Sequence, residues 1–115
     1  MNATILLVED SPDDVFFMKR ALKLANVTNP LHVAEDGQMA LDYLEGKNQF
    51  AAPHEFPLPG LILLDLRLPR VPGFEVLQCV RKQAHLKCVP IVVLTSSREE
   101  RDMQKPTSLE RIHFS

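Results

Sequence analysis

Short apolar runs and segments with helical spacing alternate along the chain. Fully apolar runs at Ile5 to Val8, Leu61 to Leu64 and Pro90 to Leu94 are typical of strands that are covered on both faces. Leu31 to Ala34 predicts a further short strand. Because helical patterns separate these strands, the sequence predicts an α/β fold with a parallel sheet and right-handed crossovers.

Helix signals fill most of the connections. Ser11 is a good N-cap residue and Pro12 suits the first helical position. A helix is therefore expected to begin shortly after the predicted strand Ile5 to Val8. Residues 46–60 are rich in Pro and Gly and predict a loop that is longer than most such connections. The expected helices cover about residues 12 to 25, Gly37 to Glu45, and a segment marked by Phe74, Leu77, Val80 and Ala84.

Composition narrows the class of protein. The chain has 115 residues, of which 45% are hydrophobic, so a single globular domain is expected. Thirteen Lys and Arg against fifteen Asp and Glu give a net charge of −2, which offers no footprint for nucleic acid or an anionic membrane. Two cysteines make neither a disulfide framework nor a zinc site, and we expect a cytoplasmic protein.

Acidic and hydroxyl side chains follow the predicted strands at the point where each strand ends. Glu9 and Asp10 follow the first strand, Asp65 follows the third, and Thr95 and Ser96 follow the fourth. Ligand sites of open parallel sheets lie beyond the carboxyl ends of the strands. The sequence therefore predicts a functional site at this edge.

Three carboxylates that lie close together repel one another unless a cation or protons neutralise them. Oxygen ligands without His or Cys favour Mg²⁺ over zinc or copper. Since Mg²⁺ takes one or two carboxylates and keeps several waters, Asp65 is left to act as a nucleophile toward a phosphoryl group. A donor such as Thr95 can stabilise the developing charge.

Four motifs in order resemble the receiver domain of two-component response regulators: Ile5 to Ser11, Leu63 to Pro69, Pro72-Gly73 and Val92 to Ser96. The resemblance implies a flavodoxin-like, doubly wound fold. The segments Asp10 to Asp14, Asn29 to Leu31 and Asp36-Gly37, with the long loop before Leu61, resemble stand-alone receivers that partner phytochrome-type histidine kinases.

The resemblance also implies roles for individual residues. Asp65 would be the phosphoacceptor, Thr95 the switch hydroxyl, and Lys105 the cation that pairs with the phosphoryl group. The implied magnesium ligands are Glu9, Asp10, Asp65 and the backbone carbonyl of Arg67.

The chain departs from the family pattern near its end. Lys105-Pro106 resembles the family's Lys-Pro pair and the start of the last helix, but it comes only ten residues after Thr95. We therefore expect one receiver domain over residues 1–115, truncated after about residue 104 and lacking the fifth strand, and the reach of Lys105 to Asp65 is in question. The fourth strand would become an exposed edge, which could be covered by an exchanged segment from a second copy, by an edge-to-edge homodimer or by rearranged packing of residues 97–115. Self-association is therefore predicted.

The leading hypothesis is a single-domain response regulator that takes a phosphoryl group from a histidine kinase and reports it as a binding switch. It would not be an enzyme beyond self-dephosphorylation, and it would bind neither nucleic acid nor membrane. A phosphatase with an aspartate nucleophile is disfavoured, because Arg67 stands where such enzymes have a second acid. A nucleotide-binding domain is disfavoured because no glycine occurs between Val8 and Pro12. A degenerate receiver that binds a partner without being phosphorylated stays open.

Overall fold

The computed structural model of the chain describes residues 3–66, 68, 72–94 and 112–114, the last three through their backbone. Strands and helices alternate as predicted, with two short 3₁₀ turns at Asn48–Phe50 and Ala84–Leu86. The strands are β1 (Ile5–Val8), β2 (Leu31–Ala34), β3 (Leu61–Asp65), β4 (Ile91–Leu94) and β5 (Ile112–Phe114), and the helices are α1 (Pro12–Leu24), α2 (Gly37–Glu45) and α3 (Gly73–Lys82).

Side-chain caps explain where the first two helices begin. The Ser11 hydroxyl accepts a hydrogen bond from the Asp14 amide at 3.3 Å, and Pro12 opens α1 as predicted. The Asp36 carboxylate accepts from the Met39 amide at 2.8 Å and caps α2. Gly46 ends α2 with a φ of 67°, a left-handed conformation that favours glycine.

The third helix ends earlier than predicted, and one of the residues used to predict it does not face the core. It ends at Lys82, and Ala84 opens a separate 3₁₀ turn. Phe74, whose spacing helped to predict the helix, is 58% exposed, and the buried positions are Gly73, Val76 and Val80. The helix turns its small and β-branched residues to the sheet because a close approach leaves no room for a ring there.

Four strands form a parallel sheet in the order β2-β1-β3-β4, which is the doubly wound arrangement expected of the fold. Val8 lies opposite Leu64 in the β1–β3 pair, so the ends of these two strands are level. Asp65 lies opposite Leu94 in the β3–β4 pair. The registers therefore bring the carboxyl ends of β1, β3 and β4 to one edge.

The fourth strand is not an exposed edge, and that expectation is wrong. No parallel fifth strand occurs among the described residues, but β5 pairs antiparallel with β4 and aligns Ile112 with Leu94. Residues 112–114 are therefore a strand and not part of a last helix, because the open side of β4 offers unpaired backbone groups that a short strand satisfies. Self-association is predicted on the assumption that β4 is unpaired, and the pairing of β4 with β5 weakens that reason. Self-association stays a prediction that sedimentation equilibrium can test.

Side chains alternate between the two faces of the sheet, as in any strand. On one face Leu6, Ile62 and Leu64 pack with α2 and α3, while on the other Ile5 and Leu7 pack with Met18 of α1. Both faces of the central strands are thus buried, which explains the continuous apolar runs.

Aromatic side chains hold the loop over residues 46–60 against β2 and α2. Tyr43, Phe50, Phe56 and His32 form an aromatic cluster in which neighbouring ring centroids lie 5.1 to 5.9 Å apart. The Tyr43 hydroxyl donates to the carbonyl oxygen of Pro57 at 2.8 Å, and burial raises the pKa of Tyr43. Sequence periodicity missed this arrangement, since two of the rings lie in the Pro-rich loop and the other two on β2 and α2. Within the described part of the chain, no helix is long and apolar enough to cross a membrane.

Candidate functional site: an acidic cluster at the sheet edge

Two neighbouring strands deliver the three predicted acidic residues to the same place. Glu9 and Asp10 come directly after β1, and Asp65 is the last residue of β3. The amide of Glu9 donates to the carbonyl oxygen of Ala34 at 2.9 Å, which holds the chain in line with β2 as it leaves β1. The parallel pairing of β1 with β3 then places the carboxylates side by side.

Glu9, Asp10 and Asp65 each offer a carboxylate oxygen, and these atoms lie within 4.8 Å of one another. We call this set the acidic cluster. Glu9 and Asp65 are buried, with 5% and 7% of their surface exposed, whereas Asp10 is exposed. The cluster therefore has two carboxyl groups inside the protein and one at its mouth.

The buried position of Glu9 changes its acidity. Burial, and next the nearby charge of Asp65, raise the pKa of Glu9 from 4.5 to about 8. The Ser11 amide donates to the Glu9 carboxylate at 3.2 Å, which lowers the pKa but does not outweigh the first two effects. Around neutral pH the metal-free site is thus expected to hold a proton on Glu9.

Such a site can be neutralised in two ways, by protons or by a cation. All three ligand groups are carboxylates, and hard oxygen ligands suit Mg²⁺ or Mn²⁺ better than zinc or copper. The exposed position of Asp10 brings this side of the acidic cluster into contact with solvent. The residues present fit a weakly bound divalent cation that keeps several waters.

The structure brings together three of the predicted site residues. Arg67, Thr95, Ser96 and Lys105 lie outside the described residues, so their roles stay predictions. Leu94, the residue before Thr95, lies opposite Asp65 in the sheet. The register of the β3–β4 pair therefore brings the carboxyl end of β4 level with Asp65.

One contact at the site was not found from the sequence. Gly73, at the start of α3, lies against the backbone of Asp65 and Leu66 so closely that a Cβ would be 2.4 Å from the Asp65 carbonyl oxygen. Pro72-Gly73 formed part of the motif above, but no pattern of apolar or polar residues shows which backbone a glycine touches.

The sequence profile described as the response regulator receiver domain matches residues 5–113. The chain belongs to this family. Response regulator Rcp1 of Synechocystis sp. is 39% identical over 99 residues, which cover 86% of this chain and 65% of Rcp1. The chain spans slightly less than two thirds of the length of two curated relatives, 64% in one case and 65% for Rcp1.

Solved structures of receivers share the fold. The bacteriophytochrome response regulator AtBRR is 46% identical, with a TM-score of 0.77 over 90% of this chain and 73% of that one. The phosphorylated cyanobacterial phytochrome response regulator RcpA is 36% identical, with a TM-score of 0.76 over 90% and 71%. The Mn²⁺-bound form of Rcp1 is 39% identical, with a TM-score of 0.75 over 87% and 70%. These likenesses confirm the flavodoxin-like receiver fold of the chain.

Proposed function

We propose that this receiver accepts a phosphoryl group on Asp65 in a two-component signalling system, with Mg²⁺ held by the acidic cluster. The observation that carries the proposal is the convergence of Glu9, Asp10 and Asp65 within 4.8 Å at the carboxyl edge of a parallel sheet. Receiver relatives with a metal bound and with a phosphoryl group attached, Rcp1 and RcpA, support it.

The proposed reaction is an in-line displacement at phosphorus. A carboxylate oxygen of Asp65 attacks, the bond from phosphorus to the imidazole nitrogen of the donor histidine breaks, and the imidazole leaves with the electron pair and takes up a proton. When bound, Mg²⁺ supplies charge neutralisation for the phosphoryl oxygens. Asp65 is consumed once per transfer, so it acts as an acceptor and not as a turnover catalyst.

Burial prepares Asp65 for this role. The end of β3 is fixed between β1 and β4, so little motion is needed to bring the carboxylate into line with a donor. The buried Glu9 would give up its proton when the cation binds, while the exposed Asp10 faces solvent. In the metal-free site the raised pKa of Glu9 disfavours ionisation of all three carboxyl groups. A bound cation would stabilise the fully ionised form.

The likeness supports a kind of partner, and the cysteines are in keeping with a compartment. AtBRR and RcpA are named as bacteriophytochrome and phytochrome response regulators, which supports a phytochrome-type histidine kinase as the donor for this chain. Cys79 and Cys88 are free, in keeping with the reducing cytoplasm. The phosphorylated receiver would then signal through a changed surface that a target protein recognises.

The test is phosphorylation with a small-molecule donor. Wild-type protein treated with acetyl phosphate and Mg²⁺ should gain the mass of one phosphoryl group, and hydroxylamine should remove it. Asp65→Asn should gain none, while Asp42→Asn, which removes an acid of α2 outside the cluster, should be labelled like the wild type.

Two outcomes would contradict the proposal. Label at wild-type level in Asp65→Asn would move the acceptor elsewhere. A folded wild-type chain that takes no label, with or without a histidine kinase, would favour the degenerate receiver that binds its partner unphosphorylated.

A further inference from the structure

Gly73 lies so close to the backbone of Asp65 and Leu66 that a side chain at this position would displace one of its neighbours. A Cβ at Gly73 would lie 2.4 Å from the Asp65 carbonyl oxygen, 2.6 Å from the Leu66 Cα and 3.1 Å from the Asp65 carbonyl carbon. Real Cβ atoms essentially never approach closer than 3.0 Å. All three atoms belong to the backbone, so no side-chain rotation can relieve the crowding.

The requirement for glycine is one of space and not of backbone conformation. Gly46, by contrast, has a φ of 67° and its nearest neighbour would be 3.9 Å from a Cβ, so there the conformation alone favours glycine. Among the described glycines, a positive φ occurs at Gly46 and not at Gly73. A substitution at Gly73 therefore acts on the neighbouring chain and not on its own backbone.

Neither partner in this contact can yield easily. Asp65 ends the strand that lies between β1 and β4, and the side chain of Leu66 packs against the core beneath α2 and α3. On the other side, Val76 and Val80 are 0% and 1% exposed and hold α3 on the sheet. A methyl group at Gly73 would force the two backbones apart by roughly 1 Å at the residue that carries the Asp65 carboxylate.

We infer that Gly73 is a positioning residue for phosphorylation: its missing side chain sets the distance between the start of α3 and the end of β3, and so fixes the Asp65 carboxylate. This inference rests on the proposed function, because it concerns the same acceptor. A displacement of roughly 1 Å at a reacting group can lower a rate about 100-fold. The same displacement changes the distance between Asp65 and Glu9, which lie within 4.8 Å of one another, and so disturbs the site for Mg²⁺.

The chain offers a matched control at the opposite end of the same strand. Gly60 precedes β3, and a Cβ there would lie 2.6 Å from the Ala3 Cβ. The atom that it meets is the Cβ of an exposed residue near the amino terminus, so relief requires a backbone shift at Ala3, which lies at the other end of the strand from Asp65. Gly60→Ala thus introduces comparable crowding far along the strand from Asp65.

The experiment compares Gly73→Ala, Gly60→Ala and Val76→Ala. Val76→Ala loosens α3 by removing buried carbon atoms but puts nothing against Asp65. All proteins are assayed in sucrose, which favours compact states, and rates are normalised to the folded fraction measured by circular dichroism. The two readouts are the rate constant of labelling from acetyl phosphate at saturating Mg²⁺ and the Mg²⁺ dissociation constant.

For Gly73→Ala we expect a labelling rate about 100-fold lower per folded molecule and a weaker affinity for Mg²⁺. Gly60→Ala and Val76→Ala should keep both values within about twofold of the wild type, even where they unfold at lower urea. Equal rates per folded molecule in Gly73→Ala and Val76→Ala would overturn the inference, since the glycine would then serve stability alone. A Gly73→Ala chain that stays unfolded in sucrose would also overturn it, because crowding confined to Asp65 and Leu66 predicts a local change.

The experiment separates failure of the proposed function from failure of the positioning role of Gly73. If wild-type protein takes no label, the proposed function fails. If the wild type is labelled and Gly73→Ala is labelled equally fast, only the positioning role fails.

Discussion

The acidic cluster and the aromatic cluster differ most in the polarity of their side chains. In the aromatic cluster each ring contacts another ring, and the one buried hydroxyl, on Tyr43, has an acceptor at 2.8 Å. In the acidic cluster two buried carboxyl groups lie beside each other, and the pKa of Glu9 rises to about 8. The first region is complete without a ligand, whereas the second is stable only with a proton or a cation. Stability and chemistry should therefore be separable by mutation.

The largest effect is expected from breaking the aromatic cluster. Phe50 is buried and its ring contacts Tyr43 and Phe56, so Phe50→Ala should lower the free energy of unfolding by about 3 kcal/mol. Urea denaturation gives the measurement, and Phe17→Ala, at a position 61% exposed, should change stability little. The Mg²⁺ affinity of the folded fraction should not change, and a loss of affinity there would show that the two regions are coupled.

The second effect concerns pH and the acidic cluster. Since the pKa of Glu9 is raised to about 8, its carboxyl group is protonated below that pH and must lose the proton to bind Mg²⁺. Affinity should therefore rise with pH, by about 50-fold from pH 6 to pH 8, and level off above. Calorimetric titrations across this range give the profile.

Glu9→Gln provides the control for that profile. The variant cannot ionise at this position, so its weaker Mg²⁺ affinity should lose most of the dependence on pH over the same range. A flat profile in the wild type would mean that Glu9 does not release a proton when the metal binds.

The smallest of these effects is expected at the mouth of the site. Asp10→Asn removes one negative charge from the acidic cluster but leaves the buried pair, and the exposed position is screened by water. We expect Mg²⁺ to bind about tenfold more weakly. Asp13→Asn removes the same charge from the first turn of α1, outside the cluster, and should change the affinity much less. Equal losses in the two variants would reduce the role of Asp10 to general electrostatics.

The sequence was sufficient to predict the layout of the sheet and the three acids. Apolar runs gave the parallel strands because buried strands read as continuous hydrophobic segments, and the acids at their ends followed from the geometry of parallel sheets. The bounds of β1, β2 and α2 are as predicted. The caps at Ser11 and Asp36 also carry local signals that a sequence can show.

Other features depend on contacts between distant segments. The pairing of Ile112–Phe114 with β4 is set by an open strand edge, which propensity along residues 105–115 does not indicate. Likewise, the exposure of Phe74 and the closeness of Gly73 to Asp65 follow from how near α3 comes to the sheet. The raised pKa of Glu9 needed both its burial and its neighbour, and only the neighbour was visible in the sequence pattern.

The level ends of β1 and β3 have a consequence for the lifetime of the protein. In an unfolded chain Glu9 and Asp10 are far along the sequence from Asp65, so the full set of ligands exists only when the two strands are paired. A metal that binds the folded chain alone adds about 2.7 kcal/mol to its stability when the free metal exceeds its dissociation constant about 100-fold. The ion proposed for signalling would also protect the chain from proteases that attack its unfolded form, and its withdrawal would shorten the time for which the receiver persists.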